Sequence, residues 1–386
     1  MLSIWTFTFW LSVGLIAYVY LGFPVLLAIV AALFRSPVRK ESVTPSVSLI
    51  IAAYNEEKNI GQRLDNALSL VYPSSKLEIL VASDGSNDST DSIVSGFAPL
   101  VRLLRLPRRG KAHALNRAAE RSCGEILVFS DANILYQRQT LLKLVRAFAD
   151  PRVGGVVGNK IYRIPSESES ISRGERLYWS YDKWLKSLES LSGSTVSADG
   201  AVYAIRRQLY QLPLDPAVTD DFALSTGVIE QGYRLIFEAE ARAYEAASPT
   251  AEQEFSRKVR LMTRGLRGLI LRKKLLNPFR FGFYSIILFS HKLLRRLVPF
   301  VLPMLLVSGM VLSSSGLLYA SLTLLQILFY AAAAIGYVLR RQPAGQSKFL
   351  LLPFFYCLAN TCALLAFINL LRGRRIELWK QQRQEG

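Results

Sequence analysis

The sequence predicts an α/β domain with a mainly parallel sheet, joined to a second region of membrane-spanning helices. Between residues 41 and 255, short β-rich runs alternate with helical stretches, a pattern typical of a parallel sheet flanked by helices. At 386 residues, the chain exceeds one typical domain. Hydrophobic residues make up 51% of the chain and its formal net charge is +18, so apolar and basic residues must be segregated along it.

The N-terminal segment reads as a membrane helix. Residues 4–34 are uncharged and mostly apolar, and about 20 helical residues suffice to cross the hydrocarbon layer. A cleavable signal peptide begins with basic residues and has a shorter apolar core, whereas the first basic residue here is Arg35. We therefore expect residues 1–40 to hold an uncleaved span whose basic end is cytoplasmic.

Three more apolar segments, residues 297–313, 316–339 and 349–371, predict further spans and hence a multi-pass protein of the cell membrane. We assign residues 297–386 to these helices and a short tail. Three spans that follow a cytoplasmic domain place the end of the chain outside. The basic residues at 372–375 favour a cytoplasmic end instead. Both orientations stay open at the level of sequence.

A basic segment precedes these spans. Residues 255–296 carry twelve Lys or Arg residues and no acid, interleaved with apolar residues at helical spacing. This pattern predicts, over residues 256–296, amphipathic helices that lie on anionic membrane lipids. Binding to nucleic acid is the alternative, but the segment directly precedes a span and lacks an aromatic and basic nucleic-acid motif. We expect anionic lipids as its partner and no nucleic acid.

The soluble part, residues 41–255, has three clear strands, Ser46–Tyr54, Leu77–Asp84 and Glu125–Asp131. Each ends in a polar turn that contains an acid. In open α/β sheets, ligands collect at the carboxyl ends of the strands. The sequence therefore predicts the functional site at these three turns.

The first two turns have partly structural explanations. The first contains Tyr54, Asn55 and Glu56, where Asn55 is suited to cap a helix and the glutamate favours the helix dipole. Much of the second, residues 84–90, is explained by turn and capping chemistry. Asp84 is different, because an acid at the edge of a strand can accept hydrogen bonds from ribose hydroxyls or a base N–H.

Two further motifs suit a diphosphate and a cation. Gly110 and Lys111 open a helix, where backbone N–H groups and a lysine favour a phosphate; a solvated surface lysine is the alternative for Lys111 alone. Asp131 and Asn133 are oxygen donors two residues apart at a strand end, and such a pair can share a divalent cation. Because the second donor is an amide, this site depends more on the diphosphate of a substrate.

The last acidic motif is Thr219, Asp220 and Asp221, which precede an apolar-periodic run. A threonine N-cap with two acids in the first turn is a complete structural explanation. Taken alone, the motif predicts only the start of a helix.

In their order and spacing, the motifs together resemble the family 2 inverting glycosyltransferases of the GT-A fold, which include membrane-bound bacterial polysaccharide synthases. The resemblance covers residues 46–260, and the flanking membrane helices are also similar to those of the membrane-bound members. It implies a GT-A (Rossmann-like) nucleotide-sugar-binding domain plus an α-helical transmembrane region. The motifs that carry it are Tyr54–Glu56, Asp84–Asp88, Gly110–Lys111, Asp131–Asn133 and Thr219–Asp221.

The resemblance implies a role for each matching residue on the nucleotide side. Tyr54, Glu56 and Asp84 are expected to contact the nucleoside, and Lys111 to lie near the nucleotide. Gly200, which precedes a predicted strand, either permits close approach of the donor sugar or forms a plain turn.

The metal and the base follow from the same resemblance. Asp131 with Asn133 matches the metal-binding D-x-D motif, so Asp131 also helps to bind the nucleotide sugar and Mg²⁺ or Mn²⁺ is the expected cofactor. Asp221 matches the final acid of the T-E-D motif, which is the catalytic base of the family.

On the acceptor side, we expect Asp220, Arg260 and Trp179. Processive synthases carry Q-x-x-R-W, whereas this chain reads R-K-V-R-L at residues 257–261. Arg260 is retained without the glutamine and tryptophan, which argues against processive chain extension. Trp179 belongs to an aromatic stretch that either lines an acceptor groove or packs in a core.

The expected function is inverting transfer of a hexosyl or N-acetylhexosaminyl group from a nucleoside-diphosphate sugar to a membrane-associated glycan or lipid acceptor. The catalytic domain is expected to be cytoplasmic and to act in polysaccharide synthesis. The alternative from another class is a non-catalytic membrane scaffold that senses nucleotide sugars, against which the retention of Asp221 argues.

Overall fold

The computed structural model describes residues 2–163, 169–211, 215, 217–246, 251–340 and 342–375, with side chains described throughout except at residues 2, 163–179, 251, 343 and 346. Within these ranges the strands are β1 (Val47–Ala53), β2 (Leu77–Asp84), β3 (Arg102–Leu106), β4 (Ile126–Asp131), β5 (Ile134–Tyr136), β6 (Val153–Arg163), β7 (Tyr203–Arg206) and β8 (Arg234–Ala246). The helices of the soluble part are α3 (Ile60–Leu68), α4 (Thr90–Ser95), α5 (Lys111–Glu120), α6 (Thr140–Val145), α7 (Glu169–Leu191), α8 (Asp220–Glu230) and α9 (Ala251–Leu271). The remaining helices are α1 (Leu2–Ala17) and α2 (Phe23–Leu33) at the N-terminal end, and α10 (Pro278–Phe281), α11 (Phe283–Ile287), α12 (Arg295–Leu312), α13 (Leu317–Val338) and α14 (Lys348–Leu371).

The described strands form one sheet in the order β3-β2-β1-β4-β7-β6-β8-β5. The half that includes β1 to β4 is parallel, as predicted, because β1 pairs with β2 and β4 and β2 pairs with β3, all in parallel. The other half is mixed, since β7 runs antiparallel to β4 and β6, while β8 is parallel to β6 and antiparallel to β5. The predicted α/β fold class is confirmed.

The three predicted strands are confirmed to within one residue at each end. All seven residues of β1 are buried, as expected for a parallel strand covered by helices on both faces. In the register of the sheet, Ala52 is opposite both Ala82 and Asp131. The turns that follow β1, β2 and β4 therefore lie at the same edge.

Within the described ranges, four helices are long and apolar enough to cross a membrane: Ser3–Leu33, Phe283–Ser315, Leu317–Val338 and Lys348–Leu371. They match the four predicted segments, but the second begins at Phe283 rather than at residue 297. The first includes a π-helical turn, Tyr18–Gly22, and the second another, Leu288–Leu294. Phe23 and Leu27 of the first helix are buried in the same core cluster as Phe129 of β4, so this helix packs directly on the soluble domain.

Several basic residues predicted to face lipid contact protein groups instead. On α9, Arg257 and Lys258 both pair with Glu254, with N–O distances of 2.8 and 2.9 Å. Arg264 donates to the carbonyl oxygen of Val218 at 2.7 Å. The cause is twofold: Glu254 lies one turn before Arg257 and Lys258 on α9 itself, and α9 packs on the soluble domain, where the carbonyl oxygen of Val218 reaches Arg264.

Candidate active site

The carboxyl edge of the sheet opens into a cleft of about 540 Å³. The turns after β1 and β4 and the start of α8 form its walls, and α9 lies across one side. The residues assigned to the site from the sequence that line this cleft are Tyr54, Glu56, Lys111, Asp131, Asn133, Gly200, Asp220, Asp221 and Arg260. Asp84 does not line it, and the side chain of Trp179 lies outside the described residues.

Lys111 is at the centre of the cleft. Its Nζ lies 2.8 Å from Asp131 Oδ1 and 3.0 Å from Asp220 Oδ2. Burial lowers the pKa of Lys111, but the carboxylates of Asp131 and Asp220 raise it by more, so that it lies above its ordinary value. Lys111 is thus a charged ammonium that joins acids from two distant elements, which excludes the alternative of a solvated surface lysine.

Asp221 begins α8 next to Asp220. Burial and the adjacent charge of Asp220 raise the pKa of Asp221 to about 6, against the opposing effect of Lys111. Burial also acts to raise the pKa of Asp220, but Lys111 lowers it below its ordinary value. Asp220 is therefore ionised beside Lys111, whereas Asp221 accepts a proton close to neutral pH, as general bases commonly do.

Gly200 is required where the chain passes Asp221. It adopts φ 80°, a conformation that favours glycine. A Cβ at this position would lie 3.3 Å from Asp221 Oδ2, so a larger residue would crowd the carboxylate. A plain turn does not account for this contact.

Thr219 precedes α8 in an extended conformation, but within the described structure its side chain makes no capping hydrogen bond. Asp220 is buried and binds Lys111 rather than serving only the helix dipole. The start of a helix is therefore not a sufficient explanation of this motif.

The turns after β1 and β2 are interlocked. Asn55 adopts φ 53°, and its Oδ1 accepts a hydrogen bond from the N–H of Asn87 at 3.0 Å. The N–H of Glu56 donates to Thr90 Oγ1 at 2.8 Å. Because α3 begins only at Ile60, Asn55 does not cap that helix, as its place in the sequence had suggested. These contacts fix the turn that carries Tyr54 and Glu56.

Asp84 is fully buried behind the cleft. Its Oδ1 accepts hydrogen bonds from the N–H groups of Arg109 and Gly110, both at 2.9 Å, and Oδ2 pairs with the guanidinium of Arg108. That guanidinium lies 3.3 Å from the centroid of the Tyr54 ring. In this structure Asp84 therefore holds the loop that leads to Lys111, and a direct contact with a nucleoside stays a prediction.

Asp131 and Asn133 both line the cleft, and the Asp131 side chain is 33% exposed. The described residues include no group of three or more His, Cys, Asp or Glu side chains able to hold a metal ion. A carboxylate and an amide oxygen suit Mg²⁺ or Mn²⁺ only when phosphate oxygens complete the coordination. The donor set thus fits a cation that arrives with a diphosphate, not a cation held by the protein alone.

The sequence analysis missed another polar wall of the cleft, formed by Lys160 of β6, Glu245 of β8 and Asp199 of the loop before β7. Lys160 Nζ lies 3.4 Å from Glu245 Oε2. Lys160 and Glu245 belong to no motif, and pairing between β6 and β8 brings these two residues together across a long stretch of chain. No local signal in the sequence marks them.

Comparison with known proteins agrees with this geometry. Residues 48–211 match the sequence model of glycosyl transferase family 2. The probable glycosyltransferase YdaM of Bacillus subtilis is 27% identical over 217 residues, which are 53% of this chain and 52% of that protein. The poly-beta-1,6-N-acetyl-D-glucosamine synthase of Staphylococcus aureus is 25% identical over 223 residues, 55% of this chain and 53% of the synthase.

A third relative, the beta-monoglucosyldiacylglycerol synthase of Trichormus variabilis, is 30% identical over 171 residues, which are 42% of this chain and 36% of that protein. The first two matches thus span about half the length of each curated relative. Among solved structures, the mannosyltransferase PcManGT of Pyrobaculum calidifontis, in complex with GDP-Man and Mn²⁺, superimposes with a TM-score of 0.71 at 25% identity. That likeness covers 95% of this chain and 100% of the other.

The fold and the cleft therefore define a glycosyltransferase domain of the GT-A class. Within that class, residues 48–211 match the glycosyl transferase family 2 model, and the resemblance inferred from the motifs is confirmed.

Proposed function

We propose that this protein transfers a sugar from a nucleoside-diphosphate sugar to an acceptor held at the membrane, with inversion at the anomeric carbon. One observation carries the proposal: Lys111, Asp131, Asp220 and Asp221, from three separate stretches of the chain, meet in one cleft. The homologous domains of a polysaccharide synthase and of a glycolipid synthase support the reaction class.

In the proposed reaction, Asp221 is the base. The oxygen of an acceptor hydroxyl forms a bond to the anomeric carbon while the bond from that carbon to the diphosphate oxygen breaks. The proton of the hydroxyl passes to Asp221, and the diphosphate leaves with the bonding electron pair. A single displacement of this kind inverts the configuration. General-base assistance typically contributes about 10² to 10⁴ in rate.

Lys111 opposes the negative charge that grows on the leaving diphosphate, and its buried position strengthens this interaction. Asp131 and Asn133 would hold the divalent cation, which when bound supplies Lewis-acid stabilisation of the same charge. Tyr54 and Glu56 are proposed to contact the nucleoside from the turn after β1, since both line the cleft.

Arg260 and Asp220 are proposed on the acceptor side. Arg260 reaches the cleft from α9, which leads into the apolar helices that follow it along the chain. A glycan or lipid acceptor that approaches from the membrane would therefore meet this side first. We propose a cytoplasmic catalytic domain and a multi-pass protein, with exposed parts of the basic segment facing anionic lipids.

A non-catalytic scaffold that senses nucleotide sugars is the alternative function. It needs nucleotide contacts but no base. Asp221 is buried beside Asp220, and its pKa is raised to about 6. This environment favours catalysis because it suits proton transfer. It disfavours the charged carboxylate, which is the form that would stabilise the N-terminus of the helix.

The decisive experiment uses the purified full chain in detergent, with a panel of nucleotide sugars and with or without Mg²⁺ or Mn²⁺. Release of nucleoside diphosphate is measured. We expect one donor to be turned over, and Asp221→Asn to lose transfer by about 10² or more while it still binds the nucleoside diphosphate. Asp220→Asn is expected to be milder.

Turnover of Asp221→Asn close to the wild-type rate would contradict the assignment of the base. Inversion is tested separately, by NMR of the anomeric linkage in the first product formed. Retained configuration would contradict the single displacement, whatever the outcome for Asp221.

A further inference from the structure

The cleft wall beside Asp221 carries a carboxylate that the proposed mechanism does not use. Asp199 lines the cleft and is followed by Gly200, whose Cβ position lies 3.3 Å from Asp221 Oδ2. Asp199 therefore directly precedes the glycine whose Cβ position lies beside the proposed base. Whatever group is transferred must lie near this point, because the attacking hydroxyl is held by Asp221.

The two oxygens of Asp199 have different surroundings. Oδ2 lies 3.3 Å from Nζ of Lys186, a buried lysine that is also 3.5 Å from Asp182 Oδ2. Oδ1 is buried and, within the described part of the chain, has no hydrogen-bond partner. Buried polar atoms in native proteins rarely stay unpaired, so a free carboxylate oxygen in the wall of a cleft points to a ligand with a donor group.

The charge on this side of the cleft selects among possible ligands. A carboxylate repels the diphosphate, whose negative charge is proposed to be opposed by Lys111. Lys186 is shared between Asp199 and Asp182, and Lys160 and Lys183 also interact electrostatically with Asp199, so the site does not need a cation to be balanced. What remains is a neutral donor, and sugar hydroxyl groups form strong hydrogen bonds with carboxylates.

We propose that Asp199 Oδ1 accepts a hydrogen bond from a hydroxyl of the transferred sugar, with Lys186 as the residue that positions it. The proposal rests on the proposed function and identifies the residue that takes part in choosing the donor sugar. A donor epimer or deoxy sugar that lacks this hydroxyl leaves Asp199 unpaired, and such unpaired groups give strong discrimination.

The test compares Asp199→Asn with the wild-type full chain in detergent by calorimetry. The probes are UDP-glucose, UDP-N-acetylglucosamine and GDP-mannose, each set against UDP or GDP alone. Asparagine keeps the shape of aspartate but removes the charge that strengthens the hydrogen bond. We expect the affinity for the preferred nucleotide sugar to fall about tenfold or more, while the affinity for the nucleoside diphosphate changes less than about twofold.

Ser197→Ala is the matched control. Ser197 lies in the same loop, and its Oγ is likewise buried without a hydrogen-bond partner among the described residues, but it does not line the cleft. We expect both affinities to be unchanged in this variant.

Three outcomes overturn the inference. Equal binding of the nucleotide sugar by Asp199→Asn and wild type excludes the contact, and the proposed function still stands. A parallel loss of nucleoside diphosphate binding means that Asp199 acts through the fold. Absence of any nucleotide-sugar binding by the wild-type protein removes the proposed function itself, and the inference with it.

Discussion

Asp220 and Asp221 both lie in the first turn of α8, but their carboxylates contact different groups. Asp220 pairs with Lys111 at 3.0 Å, whereas Asp221 accepts a hydrogen bond from the N–H of Phe222 at 2.7 Å. Because Lys111 compensates the charge of Asp220, the two acids do not compete equally for one proton. The adjacent charge of Asp220 instead acts on Asp221 and contributes to its raised pKa.

This arrangement predicts the pH dependence of transfer. A base works only when ionised, so with a pKa of about 6 for Asp221, we expect kcat/KM to rise with pH up to about 6 and then to level. In Asp220→Asn, the neighbouring negative charge is removed, the pKa of Asp221 falls, and the rising limb moves to lower pH. The measurement is kcat/KM for release of the nucleoside diphosphate across pH 4.5 to 8.

Glu120→Gln provides the comparison for this pH experiment. It also removes one carboxylate, from an exposed pair with Arg117 at the far end of α5, and we expect it to leave the limb where it is. If the rising limb of kcat/KM does not move in Asp220→Asn, a group other than Asp221 determines the pH dependence. The profile would then not support Asp221 as the base.

Site residues could be predicted from the sequence where they lie in the polar turn at the end of an apolar strand. Asp131 is an example, because a buried run that ends in a polar turn defines both the strand and its edge. Prediction failed where a role depends on distant contacts. Nothing near Asp199 in the sequence indicates that Lys186 binds one of its oxygens or that a side chain at the next position would crowd Asp221.

At the scale of elements, the loop between β3 and α5 is held by Asp84 at the end of β2. Gly85 follows at φ 71°, and a Cβ there would lie 2.7 Å from the backbone nitrogen of Arg108. The loop therefore packs directly on the turn, and two of its N–H groups are satisfied by one carboxylate. Lys111 comes next in the chain, so its position depends on this contact.

Asp84→Ala is therefore expected to destabilise the domain. The variant leaves the buried N–H of Gly110 and the partly buried N–H of Arg109 without an acceptor and unpairs the partly buried Arg108, so we expect the free energy of unfolding to fall by about 3 kcal/mol. Thermal unfolding in detergent, with and without nucleoside diphosphate, measures the loss. Asp84→Asn, which keeps one acceptor oxygen, should lose less.

The same pair of variants separates this role from the nucleoside contact expected from the sequence. If Asp84→Ala is as stable as the wild type but no longer binds the nucleoside diphosphate, Asp84 contacts the ligand and the loop does not depend on it.

Strands and helices could be predicted where composition marks them, and the roles of their side chains could not be predicted where those depend on distant contacts. The strands β1, β2 and β4 and the four apolar helices are marked by composition alone, which explains why they were found. Thr219 occupies the N-cap position of α8 as predicted, but among the described residues its side chain makes no capping hydrogen bond, and Asp220 binds Lys111. On α9, Glu254 and a carbonyl group of the domain engage part of the basic face, and contact of the rest with anionic lipids stays a prediction.

At the scale of the whole molecule, α14 lies along α9. Cys362 Sγ is 3.9 Å from the carbonyl oxygen of Phe255, and Asn369 Nδ2 is 3.4 Å from Thr263 Oγ1. At the ends of the two helices, Arg267 donates to the carbonyl oxygen of Arg374 at 3.0 Å. The two helices therefore run side by side in the same direction.

The start of α14 is also near α9. Arg340, which precedes it in the chain, lies 3.7 Å from Glu252 in the first turn of α9. Because α9 lines the cleft of the soluble domain with Arg257, Arg260 and Arg264, α9 belongs to that domain. We therefore expect a helix that follows α9 from end to end to have both of its ends on the same side of the membrane as the catalytic domain.

This geometry bears on the orientation that the sequence left open. If α14 lies along the domain, only Ser3–Leu33, Phe283–Ser315 and Leu317–Val338 cross the membrane. The basic residues at 372–375 then lie on the same side as the catalytic domain, which agrees with the positive-inside rule for the cytoplasmic domain proposed above. The apolar length of α14 does not decide between the two orientations, because length and composition do not distinguish a crossing helix from one that packs on a domain at the membrane surface.

We therefore expect residue 374 and the catalytic domain to be labelled from the same side. The experiment uses single-cysteine variants in a background with Cys357→Ala and Cys362→Ala, and a maleimide that does not cross membranes. The exposed Cys123 reports the catalytic domain, Arg374→Cys reports the end of α14, and Ser315→Cys reports the turn before α13; the last two variants also carry Cys123→Ser. In sealed inside-out vesicles, Cys123 and the Arg374→Cys variant should react while Ser315→Cys is protected, and intact cells should give the reverse. Reaction of Arg374→Cys together with Ser315→Cys would mean that α14 crosses the membrane, and the contacts along α9 would then not describe the protein in its bilayer.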